Sequence, residues 1–137
     1  MSARFYLWVS AFSGAVSVAL GAFGAHGLKK VVSVDMLATY QTGVQYQFIH
    51  SLALLALAIL LFMPVAKGVS KLLKLSANLM IVGIMLFSGS LYTMTLMSAA
   101  DGFPAWLGPI TPIGGLAFIM GWIFLLVAAF KLPIDEQ

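Results

Sequence analysis

Four runs of mostly apolar residues leave this chain little choice of fold. They fall at about residues 5–25, 43–63, 75–97 and 110–130, each near the roughly 20 residues a helix needs to cross hydrocarbon. No water reaches a backbone at that depth, so every N–H and C=O must pair within its own segment, and the α-helix does this. Composition points the same way. The 137 residues are 62% hydrophobic and 8% charged, with a mean hydropathy of +1.07. Soluble domains carry about 25% charged residues, and one soluble core of this size could not hide so much apolar surface. The expected architecture is all-α: one integral membrane four-helix bundle with short loops, occupying residues 1–137 as a single domain.

The connections read as loops. "MPVAKGVSKLLK" carries Pro64, Gly68 and three lysines, and "AADGFPAWLGPITP" carries Asp101, three prolines and Trp106. Thr111 is an expected N-cap for the fourth helix, with Pro112 at its first position. "KLPIDEQ" closes the chain with Pro133 and exposed acids. Between the first two spans, "SVDMLATYQTG" has Ser33 as an expected N-cap and Asp35 to complement the helix dipole. It either lies on the membrane surface or runs straight into the second span. A cleaved leader is the rival for the first run, with Arg4 as its positive start. The run is longer than the usual 7–15 residue core of such leaders, which favours a span.

Four spans put the N-terminus, the middle loop and the C-terminus on one side. That side holds Arg4, Lys67, Lys71, Lys74 and Lys131, against Lys29 and Lys30 opposite. The bias of basic residues toward the cytoplasm predicts that both termini are cytoplasmic. The pI of about 9.4 therefore reflects orientation, and no nucleic-acid partner is expected. With no cysteine there is no disulfide, thiolate metal site or cysteine nucleophile.

Small residues recur at helical spacing. Ser10, Gly14, Ser17, Gly21 and Gly24 alternate steps of four and three, a heptad seam along the first span. Ser76, Gly83 and Ser90 recur on the third, and Gly114, Ala117, Gly121 and Ala128 on the fourth. Lipid supplies no hydrophobic drive between helices, so close approach at small residues is what holds them. Such a seam either holds this bundle together or joins it to another subunit.

"GVQYQFIHSLALLALAILLF" opens a membrane-length run with Gln45, Tyr46, Gln47 and His50. In this threading they enter from the outer side, with His50 roughly 10 Å down at ~1.5 Å per residue. His26 ends the first span on that side, Ser88, Ser90, Tyr92, Thr93, Thr95 and Ser98 approach it on the third, and Thr111 begins the fourth there. Beyond Ser51 the second span carries no polar residue up to Met63. The inner half is plain hydrocarbon apart from Ser10, Ser13, Ser76 and Asn78. Polar groups in hydrocarbon must face the bundle or water. Either they pair across helices, or they line an outward-facing pocket. The candidate ligand-binding set is His26, Gln45, Tyr46, Gln47, His50, Ser88, Ser90, Tyr92 and Thr111.

Four ordered segments carry a family likeness: "GAFGAHGL", "TGVQYQFIHSLALL", "FSGSLY" and "GPITPIGGLAFIMGW". Together they resemble the small membrane proteins of domain of unknown function 423, the YgdD-like family, to which eukaryotic transmembrane protein 256 is also similar. The resemblance spans nearly the whole chain. It implies a four-span protein of the bacterial inner membrane and no particular reaction. The family's recurring residues correspond to His26, Gln45, Tyr46, His50, Ser88, Gly89, Ser90, Tyr92, Pro109, Thr111, Pro112 and Gly114.

Enzyme classes find little footing in the residues. No Gly-rich phosphate loop, HExxH pair or G-x-S-x-G elbow occurs. Ser51 beside His50 is no nucleophile–base pair, because helix neighbours diverge by about 100°. Two histidines are few for a haem; a quinone or lipid suits an apolar pocket with a few polar groups better. The expectation is a non-enzymatic protein with no cofactor, whose partners are membrane lipids, a second copy or another membrane protein. A small-solute or ion channel built by an oligomer is the alternative.

Overall fold

The computed structural model describes residues 1–100 and 102–132. Asp101 and the tail from Pro133 onward, both read from sequence as connecting or terminal segments, lie outside the described residues. Within them the chain forms α1 (Ala3–His26), α2 (Val34–Phe62), α3 (Ser70–Gly83), α4 (Gly89–Ser98) and α5 (Leu107–Phe130). Short 3-10 turns occupy Leu28–Lys30 and Pro64–Val69, and a π-helical turn at Ile84–Ser88 joins α3 to α4 as one rod. The described residues contain no strand. Four segments are long and apolar enough to span a bilayer: Ala3–Lys30, Val34–Phe62, Pro64–Ser98 and Leu107–Phe130.

The helix starts follow from their caps. Ser2 accepts from the Phe5 N–H at 3.3 Å, and Ser33 accepts from the Met36 N–H at 3.3 Å. Asp35 sits in the first turn of α2, where its charge complements the helix dipole. With that cap in place, "SVDMLATYQTG" runs on into the second span as continuous helix. The fourth helix departs from expectation. It begins at Leu107, with Pro112 inside it, and Thr111 does not cap it. Leu107 is buried with Leu91 and Met94, which anchors an earlier first turn, and the Thr111 hydroxyl is taken by Ser90 at 2.7 Å.

α1 packs on α2, α4 on α2, and α5 on α3 and the π turn. The small-residue seams lie inside these contacts. A Cβ on Gly14, Gly21 or Gly24 would meet Ser51, Val44 or Tyr40 of α2, so the α1 seam is used within the chain. On α5, a Cβ at Gly114 would run into the backbone of Phe87 in the π turn, and Gly83 of α3 receives the ring of Phe118. The Ser76 hydroxyl donates to the Gly121 carbonyl at 2.7 Å.

The two ends of the bundle differ. The end holding the start of α1 has the main apolar core, with Tyr6, Leu54, Leu57, Ala58, Leu73, Ala77, Met80 and Ala128 buried together. The far end, reached by His26, Tyr40 and Thr95, has a small cluster of Leu91, Met94 and Leu107. Outward faces carry large apolar side chains such as Trp8, Phe12, Ile119, Leu126 and Phe130. Their exposure is what lipid-facing helices require.

Candidate functional site

Gln47 is the junction of three helices. From α2 its amide Nε2 donates to the Ser13 carbonyl of α1 at 3.0 Å. Its Oε1 accepts from the Tyr92 hydroxyl of α4 at 2.8 Å. One turn on, the Ser51 hydroxyl lies 2.7 Å from the Gln47 carbonyl and 2.8 Å from the Ser13 hydroxyl, while Ser10 donates to the Ser51 carbonyl at 2.9 Å. The amide has both a donor and an acceptor, so one side chain serves two neighbours at once. In a Gln47→Leu and Tyr92→Phe double-mutant cycle we expect a coupling of about 0.6 kcal/mol, the usual size for such bonds in membrane bundles. Thermal melts of the four proteins in detergent measure it, and additivity would show that this bond contributes nothing.

His50 occupies an aromatic box between α2 and α5. Its ring lies on Phe118 with centroids 3.5 Å apart and planes inclined by 14°. Nε2 accepts from the Trp122 indole N–H at 3.1 Å, so the proton sits on Nδ1, which donates to the Tyr46 carbonyl at 2.7 Å. Both ring nitrogens are engaged and the residue is 4% exposed. Tyr46 leans over the same box, 4.6 Å from Phe87 between ring centroids. His50 and Phe118 themselves line a groove of about 270 Å³ together with Tyr46, Phe87, Ile119 and Trp122.

The other predicted residues scatter. Ser90 donates to the Phe87 carbonyl at 2.9 Å and meets Thr111, tying α4 to α5. Ser88 is buried, and among the described residues its hydroxyl has no partner. The π turn shifts the carbonyl ladder there, the Gly89 N–H reaching back to Ile84. His26 is exposed at the end of α1, its Nδ1 on the Ala22 carbonyl at 3.0 Å. Gly24 packs against Tyr40, so His50 lies about 15 Å deeper than that level, from ten rises of ~1.5 Å. The two imidazoles therefore stand at different depths of the bundle.

Gln45 faces away from Gln47. It lines a furrow of about 460 Å³ between α1 and α2 with Ser17, Val18, Gly21, Gln41, Val44 and Phe48. The Gln41 and Gln45 side chains are both exposed and stand four residues apart along that furrow. Sequence reasoning overlooked Gln41, although it stands one turn before Gln45, and it overlooked Trp122 and Phe118. The four-residue spacing of those two rings was the available signal for a shared helix face.

Apart from Ser88, the buried polar groups named above are bonded to backbone or to other side chains. Ser51 and His50, adjacent in sequence, hold different partners and are not paired with each other. The arrangement defines a small multi-pass membrane protein, a four-span bundle with a polar middle layer tied helix to helix. The chain belongs to the family described as protein of unknown function (DUF423), whose model matches residues 20–115. It is 42% identical over 126 residues to a UPF0382 membrane protein of Haemophilus influenzae, covering 92% of this chain and 94% of that protein. It is 39% identical over 132 residues to the UPF0382 inner membrane protein YgdD of Escherichia coli, covering 96% and 94%. The UPF0382 membrane protein YwdK of Bacillus subtilis is 39% identical over 128 residues, covering 93% and 98%. No solved structure matches the chain.

Proposed function

We propose that this is a non-enzymatic protein of the bacterial inner membrane, both termini cytoplasmic, that holds a lipid-like molecule against the outer half of its bundle. One observation carries the reading. Gln47, His50 and Ser90 are buried and Tyr92 and Thr111 half-buried, and all five spend hydrogen bonds on one another, on Trp122 or on backbone, whereas Gln45 is exposed in the furrow between α1 and α2. An unpaired amide in hydrocarbon costs several kcal/mol, and a ligand with matching groups removes that cost. The excess of Lys and Arg on the side of the termini supports the orientation. Among the site residues of the sequence reading, Gln45 then touches the ligand, and the bonded set holds the helices that carry it.

A continuous polar path through one chain would need groups in the terminal half, where the packed core is apolar. Purified protein in liposomes is accordingly expected to add no ion or small-solute flux over empty vesicles. Flux rising with protein content would overturn the reading in favour of an oligomeric channel.

A further inference from the structure

The furrow beside Gln45 does not stop at Phe48. A second hollow of about 290 Å³ is lined by Ser10, Ala11, Gly14, Ala15, Val18, Phe48, Ser51, Leu52 and Leu55, sharing Val18 and Phe48 with the first. The two form one trough along the α1–α2 crossing. From Gln41 to Leu55 it extends about 21 Å along α2 at ~1.5 Å per residue. One leaflet of hydrocarbon is roughly 15 Å deep, so the trough is longer than a leaflet is deep and has room for one lipid tail.

Its two ends differ in chemistry. The end toward Leu55 is walled by apolar side chains, the small faces of Gly14 and Ala15, and Ser10 and Ser51, whose hydroxyls are taken by backbone carbonyls of α2. The other end carries the Gln41 and Gln45 amides on one face of α2, four residues apart. Gly24 and Tyr40 pack together, and the apolar run of α1 closes at Ala25, so Gln41 stands at the edge of the hydrocarbon. Gln45 lies about 6 Å deeper. Ester carbonyls of a phospholipid occupy that zone and accept hydrogen bonds without donating any. Each amide NH₂ supplies the donor they need. Past that end, Lys29 and Lys30 lie exposed in the turn after α1, placed for a phosphate.

We propose that the α1–α2 trough holds one tail of a phospholipid from the leaflet at the Lys29–Lys30 end, with its ester carbonyls on Gln41 and Gln45. This rests on the lipid-binding reading above and names the lipid and its seat. Val18 is 64% exposed and lines both halves of the trough, so Val18→Trp fills it from outside without entering the core. Gln45→Leu removes an amide and leaves the shape.

Native mass spectrometry of the full chain, released from nanodiscs of equal phosphatidylglycerol and phosphatidylethanolamine, tests this. Wild type is expected to retain one phospholipid per chain, with occupancy falling at least fivefold in Val18→Trp and twofold or more in Gln45→Leu. Melting temperature, read in parallel, should hold for Val18→Trp in detergent without added lipid. A retained phospholipid that Val18→Trp does not displace overturns the trough and leaves lipid binding standing. Wild type that retains none removes both readings, and a dimer that Val18→Trp dissociates gives the trough to a second copy instead.

Discussion

Replacing Gly114 with alanine is expected to cost about 3 kcal/mol, the upper part of the usual range for overpacking a tight contact. The added methyl would meet the Phe87 backbone, its Cα at 2.8 Å. A backbone atom inside a hydrogen-bonded turn cannot rotate away as a side-chain tip does. α5 would have to move off the π turn, and Phe118 would leave its place over Gly83 and beside His50. Gly89→Ala is the matched control, since a Cβ there meets nothing within 4 Å. It should hold or gain stability, by about 0.5–1 kcal/mol for Gly to Ala inside a helix. Thermal melts of both variants in one detergent decide the matter. Equal melting temperatures would show that α5 does not approach the π turn this closely.

His50→Ala is expected to lose about 2–4 kcal/mol, like other buried ring or large-to-small truncations. The change removes the stack on Phe118 and the acceptor for the Trp122 indole, and it opens a void between α2 and α5. Trp122→Phe keeps an aromatic ring at a position 45% exposed and removes the donor to Nε2, so its cost should be nearer 1 kcal/mol. The imidazole does not line the α1–α2 trough. Its removal should therefore lower the melting temperature equally in lipid-stripped and lipid-loaded protein. A His50→Ala protein that melts as wild type but sheds its lipid would make this imidazole a ligand group and move the lipid to the α2–α5 groove.

How far the sequence could be read varies from element to element. The spans were legible because hydropathy is a sum over consecutive residues and needs no knowledge of neighbours. The early start of α2 at Val34 was written in Ser33 and Asp35, yet the polar Tyr40–Gln41–Thr42 stretch blurred whether that helix joined the span. Thr111 looked like a cap because Pro112 follows it. The burial of Leu107 and the claim of Ser90 on the hydroxyl are long-range facts that outweighed that local signal. The π turn at Ile84–Ser88 left no mark in composition, and neither did the unpartnered hydroxyl of Ser88.

The polar residues of the candidate site show the same division. Gln45 and Gln47 are two positions apart and looked alike, but helix rotation sends one to a lipid-facing trough and the other to the heart of the bundle. His50 was conspicuous as an ionisable group in an apolar run. Its partners, Tyr46, Phe118 and Trp122, come from two helices separated by much of the chain. Sequence alone settled that this chain spans a bilayer four times as helix, and that its polar side chains must be satisfied there, because both follow from the absence of water in hydrocarbon. Which polar group meets which, and which amides lie exposed between α1 and α2, was decided only by the rotation and close approach of packed helices, since those depend on all four surfaces together.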